Sequence, residues 1–418
     1  MHPMRQIYLA ATGMNRGKTT VALGLFAALL DRGHRIGFIK PVGQRTASVD
    51  GVPADEDAIL VRSVFGLTDP LGTMSPVHIP RGFTKAFIEG TVPDDLSPRI
   101  AAAHRALAAT HDLLLVEGTG HAGVGAVVGL SNAEVAARLR APAVIISEGG
   151  VGRPIDEIVL NHALFARRGV PVAGAIINKV EIDAQPSLPG ILRKGLARHG
   201  IPLLGTLPYR PLLSNPTLSM LTDQMPGELV SPGEDPERVV EHVAIGAMQA
   251  RHVLERIGPG SLLIVPGDRG DVIHATIAAA LRARAARGES RILGRIRRPS
   301  GFGRSGTEGR RELAGFLFTG GYRPAERELE ALRRAGIFGY LVAEDTYAAA
   351  SRVHDLLVKT HAADTEKIAE IRRLVAENIE IDRILRCFAP WDPAAAALPG
   401  VAGGAVGRVR EVLGRLRG

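Results

Sequence analysis

A single cysteine, Cys387, stands in a chain of 418 residues, so no disulfide can form within it and no thiolate cluster can hold a metal. Aromatic residues make up only 4% of the chain, with one tryptophan, too few for the stacking platform on which single-stranded nucleic acids bind. No apolar run approaches the roughly 20 residues that a membrane span requires. The N-terminus passes straight into a strand-like stretch without a signal-peptide pattern. These absences set the expectation of a cytoplasmic protein with no membrane partner and with nucleic acid disfavoured; an unidentified small-molecule substrate and a homo-oligomer are expected besides.

Hydrophobic residues at 45% and charged residues at 22% are the proportions of a soluble globular protein. The length exceeds one ordinary core, which suggests two domains and a tail. The net charge of +8 draws heavily on residues 282–311, where Arg295, Arg297, Arg298, Arg304, Arg310 and Arg311 are interspersed with Gly and Ser. That stretch reads either as a solvated, mobile basic insertion or as a surface for a polyanion or an acidic partner.

From residue 5 to about 210, short apolar runs at 6–11, 36–40, 113–117, 143–147 and 172–178 alternate with helical patterns at 19–31, 134–140 and 155–168. Residues 201–205 add one more strand. Apolar strands between helices predict a parallel sheet covered on both faces. A turn-rich stretch at 208–236 holds the boundary, near residue 212. A second, smaller α/β unit follows over 213–388, with strands at 262–265, 313–318 and 338–342. Its helices are expected at 272–284, 325–335, 347–358 and 364–378. Residues 389–418 are rich in Ala, Gly and Pro and read as a weakly ordered tail.

The first strand runs into Thr12-Gly13-Met14-Asn15-Arg16-Gly17-Lys18-Thr19-Thr20 and then a helix. Strand, Gly-containing loop, Lys-Thr and helix in that order form a phosphate loop. Its backbone N–H groups and the helix dipole converge on an anion. Lys18 would reach the β and γ phosphates of ATP, and the Thr19 hydroxyl would help to hold Mg²⁺. Thr12 stands where the usual pattern has glycine. Gly13 stands where partitioning-type ATPases carry a signature lysine, which disfavours that subfamily.

Glu117 closes an apolar strand at the edge where ligands sit in open α/β folds. Asp57 is either a second metal ligand or a surface acid at a helix start. With Thr19 and phosphate oxygens, Asp57 and Glu117 would complete the oxygen shell that Mg²⁺ prefers. Asn178 follows the last strand and either reads adenine or caps a turn. His121, in the Gly-rich loop 117–125, binds substrate or is a solvated histidine; the loop is expected to be flexible.

Thr12 to Thr19, Lys40-Pro41-Val42, Asp57-Ala58, Val116-Glu117-Gly118 and Asn178-Lys179 occur in the order seen in dethiobiotin synthetase, which the first domain resembles. The resemblance implies that Lys18 and Thr19 bind ATP and Mg²⁺, Asp57 and Glu117 complete the metal site, Lys40 contacts the reacting groups and Asn178 reads the base. Gly43-Gln44 and Ser131-Asn132-Ala133-Glu134 look more like the synthetase-like N-terminal domain of long bacterial phosphate acetyltransferases, generally considered regulatory.

In the second unit, Asp268-Arg269-Gly270-Asp271, Thr319-Gly320-Gly321 and 344–347 each end a strand, which predicts one crevice at a sheet edge. Asp271 also reads as a helix N-cap. Asp268-Arg269 with Thr319-Gly320-Gly321 resembles the DRTGG domain, over about 215–388 with 282–311 inserted; that resemblance implies regulation. No acetyltransferase domain follows, so that activity is expected to be absent. Cys387 lies in no glutaminase context, which argues against glutamine-dependent amide formation. Two functions remain: an ATP-dependent ligase activating a carboxylate or carbamate, and a nucleotide-responsive regulatory ATPase. Every candidate for the nucleotide site precedes residue 212, so a chain ending there is expected to bind ATP.

Overall fold

The structure, a computed structural model, describes residues 4–92, 95–295, 313–356 and 358–390. The first sheet orders its main strands as Leu203–Pro208, Val172–Val180, Ala143–Glu148, Arg5–Ala11, Leu113–Glu117 and Ile36–Ile39, all parallel. The inner strands are apolar without alternation because helices cover both faces, so side chains pointing either way are buried. The chain moves outward from Arg5–Ala11 to Ile36–Ile39, returns through Leu113–Glu117 and then crosses to Ala143–Glu148 on the other side. Open α/β sheets take their ligands at such a reversal, and the phosphate loop begins there, at the C-terminal end of Arg5–Ala11.

The second sheet has five strands in the order Glu228–Pro232, Phe338–Leu341, Gly315–Thr319, Ser261–Pro266 and His242–Ile245. Glu228–Pro232 is antiparallel and the rest are parallel. One face packs Val253, Val272, Ile273, Ile277, Leu329 and Leu332 from three helices; the other packs Leu218, Leu221, Ala349 and Val353. The chain thus has the expected α/β class, a parallel phosphate-loop domain followed by a smaller α/β domain.

Three boundaries differ from the sequence reading. The described residues through Tyr209 form one compact unit with those from Thr360 to Pro390, and Arg210–Lys359 form the other. Residues 360–388 therefore return to the first unit. Helix Thr365–Asn378 buries Ile371, Leu374 and Val375, and Val375 meets Gly24 of the phosphate-loop helix Lys18–Leu30. Ala389 and Pro390, placed in the tail, pair antiparallel with Gln6 and Arg5; residues 391–418 lie outside the described residues. Helix Gly270–Arg295 extends through the first part of the arginine-rich stretch, and residues 296–312 lie outside the described residues. The turn-rich stretch and the chain just after it also hold two strands that the sequence reading omitted, Glu228–Pro232 and His242–Ile245. Among the described residues no helix is long and apolar enough to cross a membrane.

Candidate nucleotide site

Gly17 closes the phosphate loop at φ +87°, a left-handed conformation that favours glycine, and a Cβ there would lie 1.9 Å from Asn178 Nδ2. The Asn178 amide donates to Arg16 O at 3.3 Å, so its side chain braces the loop backbone. Lys179 Nζ pairs with Glu148 at 2.9 Å, and Arg16 pairs with the same carboxylate. The Thr12 hydroxyl lies 3.0 Å from Ser147 Oγ and donates to Glu157 Oε2 at 2.8 Å. Those bonds give Thr12 a structural use at the position where the common pattern has glycine. Glu148 and Glu157 were not singled out from the sequence. Glu148 could have been, as the polar residue closing an apolar strand next to the loop strand.

On the loop's other side, four side chains converge. Asp55 caps helix Glu56–Phe65 by accepting from the Asp57 N–H at 3.0 Å. Asp55 also accepts from the N–H groups of Gln44 and Arg45, which ties the chain after Lys40 to that cap. The Thr19 hydroxyl donates to Asp57 Oδ1 at 3.0 Å and lies 3.5 Å from Glu117 Oε1. Lys40 Nζ donates to Glu117 Oε1 at 2.9 Å and to Asp57 Oδ2. Lys18, Lys40 and Glu117 are buried, Glu117 with no exposed surface.

Burial and the Asp57 charge push the Glu117 carboxyl up to about 7, against the pull of Lys40. Burial would raise Asp57 as well, but Lys40 outweighs it and holds the carboxyl well below the usual range. Lys40 is opposed by its own burial and still ends well above the ordinary lysine value, because Asp57 and Glu117 face it. Burial, then repulsion from Lys40, lowers Lys18 to about 8. The donors fit a hard divalent cation: one hydroxyl and two carboxylates, with Glu117 Oε2 buried and unpartnered.

The Gly-rich loop after Glu117 is braced, contrary to the flexible loop expected. Asn132 accepts from the Tyr8 hydroxyl at 2.8 Å and from the Thr119 N–H at 3.0 Å, and donates to Thr119 O and His121 O. A Cβ at Gly118 would lie 2.5 Å from Asn132 Oδ1. His121 is exposed at the rim, its Nδ1 accepting from the Gly123 N–H at 3.1 Å.

The turns of the second unit do meet at one sheet edge. Thr319 Oγ1 lies 2.9 Å from Thr346 Oγ1, and the Gly320 and Gly321 N–H groups donate to Glu344 O and Val342 O. Arg269 pairs with Asp271 at 2.9 Å and donates to Met248 O, which ties its turn to that one; Asp271 lies in the first turn of helix Gly270–Arg295, not at the N-cap expected, and Asp268 is exposed.

Residues 5–217, just over half of the chain, match the family described as AAA domain. The chain belongs to that AAA-domain family. Its residues 220–356 match the DRTGG domain. The phosphate acetyltransferase of Pseudomonas aeruginosa is 25% identical over 408 residues, covering 93% of this chain and 53% of the relative. The chain spans about half the length of the curated relatives it matches. Among solved structures, the cell division ATPase MinD of Pyrococcus furiosus covers 50% of this chain and 86% of its own at 16% identity, with a TM-score of 0.32. The CBS and DRTGG domains of a Clostridium perfringens pyrophosphatase cover 38% of this chain and 60% of theirs at 17% identity, with a TM-score of 0.25. The AAA domain supplies a phosphate loop of the nucleotide-binding kind, and the DRTGG domain follows it.

Proposed function

We propose that the AAA domain binds ATP with Mg²⁺ and uses it in an ADP-forming, ligase-type step that activates a carboxylate or carbamate of a small substrate. The observation that carries this reading is the convergence of Thr19, Asp57, Glu117 and Lys40 beside Lys18 at the mouth of the switch-point crevice. The loop N–H groups and Lys18 would cradle the phosphates, and Thr19, Asp57 and Glu117 would hold the ion. When bound, such an ion neutralises charge on the phosphates. Lys40 would face the transferring phosphoryl group and stabilise charge that develops there.

A second reading is favoured by one observation. Helix Thr365–Asn378, part of the chain's return from the DRTGG domain, packs on the helix that carries Lys18 and Thr19. In that reading ATP occupancy is a signal exchanged with the DRTGG domain, and turnover is incidental. Incubating the chain with ATP, Mg²⁺ and a metabolite extract separates the two. ADP release that depends on the extract supports a ligase, whereas slow release indifferent to it supports the regulator.

A further inference from the structure

Glu117 has no exposed surface and Asp57 lies beside it, so the pair needs a counter-charge. Lys40 supplies it. Its Nζ sits 2.9 Å from Glu117 Oε1 and pairs with Asp57 Oδ2, while Thr19 reaches Asp57 Oδ1 at 3.0 Å and lies 3.5 Å from Glu117 Oε1. The ammonium therefore lies against the same oxygens that would ligate a divalent ion. Magnesium takes its ligands at about 2.0–2.1 Å, so an ion held by Glu117 and Asp57 would lie within roughly 5 Å of the Lys40 ammonium that pairs with both. Two unlike-sized cations at contact distance would also repel strongly in a buried site.

We infer that Lys40 competes with a divalent ion for the Asp57 and Glu117 carboxylates, and that an ion is held tightly only when the Lys40 side chain swings away. The inference rests on the MgATP reading above and adds the competition between the ammonium and the ion. The backbone cannot make the move: the Lys40 N–H donates to Met74 O at 2.7 Å, and Pro41 restricts its ψ. The four-carbon side chain can, and the γ-phosphate side of the crevice is where an anion would draw it. Free Mg²⁺ is thus disfavoured until a nucleotide supplies the phosphates that accept the ammonium. ATP and the ion enter together.

The test measures Mn²⁺ binding to the full chain without nucleotide, from the electron paramagnetic signal of free Mn²⁺. Lys40→Met should bind Mn²⁺ at least about tenfold more tightly than the wild type, the scale of removing a unit charge at contact distance. Lys18→Met removes a neighbouring ammonium that does not pair with the two carboxylates, and should gain much less. No gain in Lys40→Met, or an equal gain in Lys18→Met, overturns the inference. Where Lys40→Met does not fold, Lys40→Gln, which keeps a polar side chain of similar length without the charge, is read in its place. A wild type that binds no MgATP sinks both the function proposed above and this inference; one that binds MgATP while Lys40→Met gains nothing sinks the inference alone.

Discussion

Val375 rests directly on Gly24: a Cβ at residue 24 would come within 2.3 Å of Val375 Cγ2 and 3.1 Å of Ile371 O. The returning helix Thr365–Asn378 thus sits on bare backbone of the phosphate-loop helix. Replacing glycine inside a helix ordinarily stabilises by about 1 kcal/mol. Here the added atoms have no room, and overpacking costs about 1–3 kcal/mol or more. Gly24→Val should therefore destabilise the chain, and Val375→Ala in the same molecule should recover part of the loss. Urea unfolding of the two single variants and the double variant measures it; a stabilised Gly24→Val would show that the helices are not held at this distance.

The same packing decides what truncation does. Ile371, Leu374, Val375, Ile379, Ile381, Ile384 and Phe388 are all buried in the first unit. At about 1.5 kcal/mol each, an upper estimate, their burial contributes about 10 kcal/mol, comparable with a typical net stability of about 5–15 kcal/mol, and losing them also exposes the phosphate-loop helix. A chain ending at residue 212 should fail to melt cooperatively. Joining residue 209 to residue 360 through a flexible linker should restore a two-state transition in circular dichroism. Cooperative melting of 1–212 alone would contradict this.

The parallel sheet was legible because its strands are uninterrupted apolar runs bounded by Gly, Pro or charge, and the loop because Gly17-Lys18-Thr19 follows one of them. The return of residues 360–390 was not legible. Its helix has an apolar stripe like any surface helix, and periodicity states that a face is buried without stating against what. Of the site, Lys18, Thr19, Asp57, Glu117 and Lys40 were each picked out, and Thr19, Asp57 and Glu117 were expected around one ion; the pairing of Lys40 with both acids was not, because residues 40, 57 and 117 meet only through the sheet order. Asp55 was hidden by its neighbour: two acids at one helix start look interchangeable until one of them caps it.

Lys18→Ala should leave the fold intact and cut ATP affinity about a hundredfold or more. The sign follows from its lowered titration, about 8 against an ordinary 10.5. A folded-state value below the unfolded one means that the charged lysine costs stability below about pH 8, a cost relieved as pH rises toward 10.5. Removing it cannot unfold the chain by that route. Wild-type ATP affinity should itself decline above about pH 8, as the ammonium is lost. Isothermal titration at several pH values tests both; affinity unchanged in Lys18→Ala would remove the phosphate loop from the site.

Glu117 gives the opposite lesson. Its carboxyl lies at about 7 in the fold against an ordinary 4.5, so the folded chain holds an extra proton between those values. That group's contribution to stability falls as pH rises from 4.5 to about 7, and the penalty is complete above. Relative to the wild type, Glu117→Gln should therefore look better at about pH 8 than at about pH 5 in urea midpoints. It should also lose Mg²⁺-dependent ATP hydrolysis far more than nucleotide binding, since the amide keeps the shape and removes a charge facing the ion. A stability difference that does not change with pH would mean Glu117 is ionised throughout.

Lys40 separates the enzyme from the regulator. Its ammonium is held by Asp57 and Glu117 before nucleotide binds, so leaving them costs about what it gains from a ground-state phosphate. Ground-state ATP affinity should then depend little on this residue. In a ligase the balance changes as the phosphoryl group transfers, because charge builds at the position the freed ammonium faces and an interaction made mainly in the transition state raises turnover. Lys40→Ala should lower extract-dependent ADP formation about a hundredfold or more while the nucleotide Kd moves by less than about threefold. Single-turnover rates beside equilibrium titration give the two numbers independently. Loss of binding and turnover in equal proportion would place Lys40 among the ground-state contacts and favour the regulatory reading.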